Sequence, residues 1–129
     1  MPDLFRIRPK TTRVMSTKIY HNPRCSKSRQ TLELLREQSV EPEIIEYLKT
    51  PPSAAELTRI LDLLGLEPRQ LMRRHEAEYQ DNGLDDPSLN RDQLIAAMVA
   101  HPKLIERPIV IKGGKAAIGR PPESVLDIL

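Results

Sequence analysis

Apolar residues recur along this chain in two rhythms, and the switches between them outline its elements. Residues 17–20, TKIY, form a short β-type run that the Asn22-Pro23 pair breaks. From Ser26 onward, SKSRQTLELLREQ sets Leu32 and Leu35 on one face with charged residues elsewhere, which predicts an amphipathic helix. Residues 43–48, EIIEYL, read as a second strand stopped by Pro51-Pro52. Strand, helix and strand within about thirty residues make a βαβ unit of a parallel sheet with a right-handed crossover.

A helical middle follows. Ser53 with Glu56 forms a capping-box pattern ahead of Leu57, Ile60, Leu61 and Leu64, with Gly65 as the stop. Asn90 with Gln93 repeats it ahead of Leu94, Ile95, Met98 and Val99, ending at His101-Pro102. Between them PRQLMRRH predicts a short helix carrying adjacent arginines, and EYQDNGLDDPS a polar loop. Residues 109–111 and 116–118 around Gly113-Gly114 predict a hairpin, and Pro121-Pro122 can start a last helix through Leu126 and Leu129. The expected fold is α/β: a βαβ unit and a ββα ending sharing a mixed sheet, with helices inserted between.

Composition narrows the function classes without choosing one. The 129 residues suffice for one domain with its own core, and 39% apolar with one Phe and no Trp makes that core aliphatic. No run nears the roughly 18 apolar residues of a membrane helix. Twenty basic against 18 acidic residues give little reason to invoke nucleic acid or a membrane surface. Residues 1–16 carry four basic side chains and one acidic, lack the apolar segment of a signal peptide, and are expected to form a poorly ordered tail to a domain over 17–129.

The chain has a single cysteine, Cys25. An internal disulfide is impossible, and a persistent free thiol fits a reducing compartment, so the cytoplasm is expected. Cys25 falls at the predicted strand-to-helix turn, where unpaired backbone N–H groups and the helix dipole favour thiolate over thiol and form a cradle for anions. The same residue type is commonly buried as a small hydrophobe, and spacing alone leaves both readings open. Cys25 and Ser28 make C-x-x-S, a redox motif lacking its second thiol. Any adduct on Cys25 therefore needs a thiol from another molecule to release it. Ser28, one turn on, could donate a hydrogen bond to the sulfur or cap the backbone.

IYHNPRCSKSRQTLELL, EYLKTPP, RQLMRR, LIERPIVI and GRPPESVLDIL, in this order and spacing, resemble the glutaredoxin-linked arsenate reductase family of thioredoxin-like proteins over residues 17–129. The resemblance implies a thioredoxin-like sheet with a helical insertion. It implies a nucleophile at Cys25 that attacks arsenate, glutathione as co-substrate that displaces the adduct, and glutaredoxin that resolves the mixed disulfide. Three anion-binding arginines fall on Arg73, Arg107 and Arg120, with Arg74 the alternative to Arg73 should the alignment slip. Pro108 falls where the family has a cis proline, and His21 where members have a histidine that helps hold the thiolate. Guanidinium forks suit such roles, because they bind tetrahedral oxyanions through paired hydrogen bonds and never lose their charge.

The chain departs from the best-studied arsenate reductases beside the cysteine: Ser26-Lys27 replace Gly-Thr, and Arg24 replaces Ala. Those changes keep two other readings in view: a glutathione-dependent oxidoreductase for another substrate, and a regulator resembling Spx, which binds RNA polymerase. The three arginines with C-x-x-S favour the enzyme. His75 and His101 match no metal spacing with Cys25, and neither a metal nor a bound cofactor is expected.

Overall fold

The computed structural model describes residues 16–129, and the basic segment predicted as a tail lies outside them apart from Ser16. Four strands, β1 (Thr17–His21), β2 (Glu43–Glu46), β3 (Ile109–Lys112) and β4 (Lys115–Ile118), form one sheet in the order β2-β1-β3-β4. β1 and β2 run parallel, as a βαβ unit requires, with α1 (Ser26–Glu37) as the crossover, while β3 and β4 are antiparallel additions. The mixed α/β architecture is therefore the expected one.

The pleat of β1 divides the core. Ile19 pairs with Val110 across the sheet, and both face Leu35 of α1 and Val125 of the C-terminal segment. Tyr20, paired with Ile109, points the other way, into a larger cluster with Leu57, Ile60 and Leu61 of α2 (Ala54–Leu64) and Leu94, Ile95 and Met98 of α4 (Arg91–Ala100). Both predicted capping boxes are present: Ser53 Oγ accepts from Glu56 N–H at 3.1 Å, and Asn90 Oδ1 from Gln93 N–H at 2.9 Å.

The structure corrects three local expectations. The polar stretch 78–88 is only partly loop, because α3 (Ala77–Asp81) buries Tyr79, and Leu84 folds in beside it. Two apolar anchors among eleven residues are too few to show a periodicity. PRQLMRRH is helical only as a 3-10 turn over Pro68–Leu71, so the adjacent Arg73 and Arg74 stand beyond the helix, past Met72, which bridges to Ile105 in extended conformation. The last helix is likewise 3-10, Pro122–Ile128.

Gly119 couples α1 to the end of the hairpin. Its N–H donates to Pro108 O at 2.9 Å and its carbonyl accepts from Thr31 Oγ1 at 3.4 Å. A Cβ at this position would collide with Thr31 Oγ1 and stand 2.8 Å from Pro108 Cγ. Gly119→Ala is expected to cost about 1–3 kcal/mol, as overpacking of a filled site does, read as a lowered urea midpoint at unchanged slope.

Candidate active site

Cys25 occupies the N-cap of α1 in extended conformation, its N–H bonded to Asn22 O at 3.0 Å. No side chain caps this helix and no acidic residue stands in its first turn, so nothing but the sulfur answers its free amides. The thiol is 9% exposed. Burial pushes its pKa up, but the Ser28 N–H, the Arg107 charge, the Lys27 N–H and a hydrogen bond from Arg107 together outweigh burial and hold it below its ordinary 9.0.

Two arginines reach this sulfur from the ends of the hairpin. Arg107 precedes Pro108 and Arg120 precedes Pro121, both through cis peptide bonds. Arg120 Nη1 lies 4.0 Å from Cys25 Sγ and 3.4 Å from Arg107 O. The closeness of Gly119 to Pro108 brings both arginines to one place from positions thirteen residues apart.

Arg73 comes from the helical middle. Its N–H donates to Leu104 O at 2.7 Å and the Glu106 N–H to Leu71 O at 2.8 Å, so the segments bearing Arg73 and Arg107 are stitched together. The Arg73 side chain is largely buried and paired with Glu76 at 2.8 Å. Arg74 is exposed, its Nε directed to Arg69 O at 3.3 Å, so Arg73 is the one facing inward. The Nε atoms of Arg73 and Arg107 are buried without an acceptor among the described residues, a state that protein interiors rarely tolerate.

Tyr47 escaped the sequence reading. It is essentially inaccessible, and its hydroxyl is influenced by Arg107, Arg73 and Cys25, with the Asn22 side chain as a hydrogen-bond partner. Burial, against the opposing pull of the two arginines, pushes its pKa up to about 12, so it keeps its proton at any physiological pH. A signal existed: Tyr47 is one of three tyrosines and directly follows the C-terminal end of a parallel strand, where open α/β sheets place ligands. Glu76 and Glu106 gave none, being ordinary charges in a charged sequence.

His21 and Ser28 stand behind the cysteine. Ser28 Oγ accepts from Asn22 N–H at 3.0 Å and lies 2.6 Å from His21 Nδ1. Burial lowers the His21 pKa, Arg29 and Arg36 lower it further, and Glu46 opposes them. The short contact sets the Nδ1 edge of the ring against the Ser28 hydroxyl. The Ser28 hydroxyl thus meets the Asn22 N–H and the His21 ring, and it is the Ser28 backbone N–H that faces Cys25.

Among the described residues, no three His, Cys, Asp or Glu side chains gather to hold a metal, and no helix is long and apolar enough to cross a membrane.

Two titrations check this geometry. The midpoint of iodoacetamide alkylation of Cys25 should fall below 9.0 and rise in Arg107→Ala, and an unmoved midpoint would place the guanidinium away from the sulfur. For His21 the folded pKa lies below the unfolded 6.5, so the folded state binds fewer protons. Its contribution is complete above 6.5 and is lost as pH falls through the lowered folded value. Chemical-denaturation midpoints should drop across that window, and drop less in His21→Gln.

The ArsC family model matches residues 20–128 of this chain. YfgD of Escherichia coli K12, described as uncharacterized, is 58% identical over 113 residues, covering 87% of this chain and 95% of its own length. An arsenate reductase of Neisseria meningitidis serogroup B is 50% identical, covering 87% and 97% respectively. Among solved structures, an arsenate reductase from Vibrio cholerae superposes with a TM-score of 0.87 at 56% identity, covering 89% of this chain and 98% of that one. With sequence motifs, sheet order and relatives in agreement, the chain belongs to the ArsC family.

Proposed function

We propose that this protein reduces arsenate to arsenite, with Cys25 as nucleophile and glutathione and glutaredoxin as the source of electrons. The observation that carries the reading is the meeting of one helix N-terminus, Arg107 and Arg120 at a single sulfur, beside two buried guanidinium N–H groups that lack an acceptor. A tetrahedral oxyanion supplies what those donors lack. Relatives bearing the name arsenate reductase, at 45–50% identity, point to which oxyanion.

In this mechanism the arginines first bind arsenate, offsetting its repulsion from the thiolate. The Cys25 thiolate then attacks arsenic, an S–As(V) bond forms, and one oxygen leaves as water after taking up a proton. The Tyr47 hydroxyl, which retains its proton, adds a neutral donor to the pocket wall. A glutathione thiolate next attacks the Cys25 sulfur. The S–As electron pair departs with arsenic, which becomes As(III) and leaves as arsenite, while two sulfurs are oxidised to a Cys25-glutathione disulfide. The chain has no second cysteine, so that disulfide is reduced from outside, the task assigned to glutaredoxin.

His21 and Ser28 serve as positioning residues, holding the 22–25 turn so that the Lys27 and Ser28 amides face the sulfur. No resident cofactor or metal takes part.

The test is NADPH consumption coupled through glutaredoxin and glutathione. Arsenate-dependent turnover should vanish in Cys25→Ser and fall about a hundredfold in kcat/KM in Arg107→Ala, the usual loss on deleting one oxyanion donor. Turnover persisting in both variants overturns the mechanism. Wild-type turnover of a glutathione mixed disulfide, with none on arsenate, would instead make the protein an oxidoreductase for another substrate.

A further inference from the structure

The charges of the pocket do not end with its arginines. Glu106 Oε1 accepts from the Arg107 N–H at 3.2 Å and from Arg107 Nη1 at 3.1 Å, and it lies 3.8 Å from Arg120 Nε. Its side chain is only 26% exposed, and its own backbone N–H is tied to Leu71 O. One carboxylate oxygen thus serves the two guanidinium groups that converge on Cys25. Glu76 partners Arg73 through Oε2 at 2.8 Å, with Lys103 Nζ 3.8 Å from its other oxygen. Each of the three guanidinium groups thus has a carboxylate partner, Glu106 for Arg107 and Arg120 and Glu76 for Arg73.

We propose that Glu106 is a specificity-setting and positioning residue: it pins Arg107 and Arg120 together over Cys25, and it selects tetrahedral oxyanions that still carry a proton over fully ionised ones. A protonated ligand oxygen donates to the Glu106 carboxylate while its charged oxygens accept from the arginines. A fully ionised ligand has no proton to offer and meets the carboxylate as a like charge. Arsenate and phosphate near neutrality still hold a proton and satisfy that condition, whereas sulfate does not. The inference rests on the site being an oxyanion pocket, and it is independent of which oxyanion is reduced.

The experiment uses inorganic phosphate and sulfate as probes, followed by calorimetry on the full chain in a Cys25→Ser background, which removes the thiol's own titration. At pH 8, where phosphate and sulfate carry nearly the same charge but only phosphate keeps a proton, phosphate should bind more tightly than sulfate. Glu106→Gln keeps an oxygen for the Arg107 N–H but loses the charge. It should tighten sulfate binding about tenfold, as removal of one nearby like charge does, and so lower the phosphate-to-sulfate affinity ratio. Glu106→Ala removes the anchor as well, and should bind sulfate more weakly than Glu106→Gln.

With Cys25 restored, Glu106→Gln should move the alkylation midpoint downward. An unchanged phosphate-to-sulfate ratio in Glu106→Gln overturns the selectivity, and equal sulfate affinity in the Gln and Ala variants overturns the pinning. Failure of arsenate turnover in the wild type would overturn the proposed reaction and leave these binding results standing, so the two failures are distinguishable.

Discussion

Around Gly119 the chain has no room for a side chain, and the geometry of the site depends on that exclusion. The residue sits between Thr31 of α1 and Pro108 at the mouth of the hairpin, bonded to both. Arg107 and Arg120 flank this contact, one before each proline, while Cys25 begins the helix that carries Thr31. A displacement here of even one methyl group would separate the guanidinium groups from the sulfur, because close-packed interiors transmit strain rather than absorb it. The reacting centre thus inherits its precision from a packing contact outside it.

The sequence made the frame of this molecule readable and hid part of its pocket, and the particular residues show why. β1, α1, both capping boxes and the glycine hairpin announced themselves because each rests on local chemistry: a breaker, a period, a cap, a turn. Cys25 at the head of α1 was legible for the same reason. Arg73, Arg107 and Arg120 lie far apart in sequence, and only motif resemblance singled them out. Their convergence depends on the Met72–Ile105 bridge and the Gly119 contact, long-range features that no periodicity reports. The β-type run extends through Leu48 whereas the strand ends at Glu46, and those two residues of overrun conceal the turn of Tyr47 into the pocket. The hydroxyl of Ser28 has plausible partners in its own turn, yet it lies 2.6 Å from the buried imidazole of His21, seven residues away and outside the helix.

The departures around the cysteine acquire a meaning once the pocket charge is counted. Lys27, where the best-studied arsenate reductases have Thr, contributes to thiolate stability through its backbone N–H, which does not depend on the side chain at that position. Arg24 directs its N–H to Asn22 Oδ1 at 3.0 Å, closing the turn that delivers Cys25, and its side chain lines an outer cleft with Pro23, Leu48 and Lys49. The charge that bears on the sulfur therefore comes from Arg107 and Arg120, not from the basic residues adjacent to it in sequence.

Helix α1 is built less stably at its start than its neighbours, and the deficit marks the function. α2 and α4 both open with complete capping boxes and an acidic residue in the first turn. α1 has neither, although a Ser, Asp or Asn at the cap would add about 1 kcal/mol. Such an oxygen would also occupy the amides that the Cys25 thiolate needs, and a first-turn carboxylate would repel both thiolate and oxyanion. The same amides cannot satisfy a structural cap and stabilise a reacting anion. In this chain they are left to the sulfur, and the helix is held instead by packing Thr31 and Leu35 into the core. Stability is drawn from the buried face of α1 so that its N-terminus stays open for chemistry.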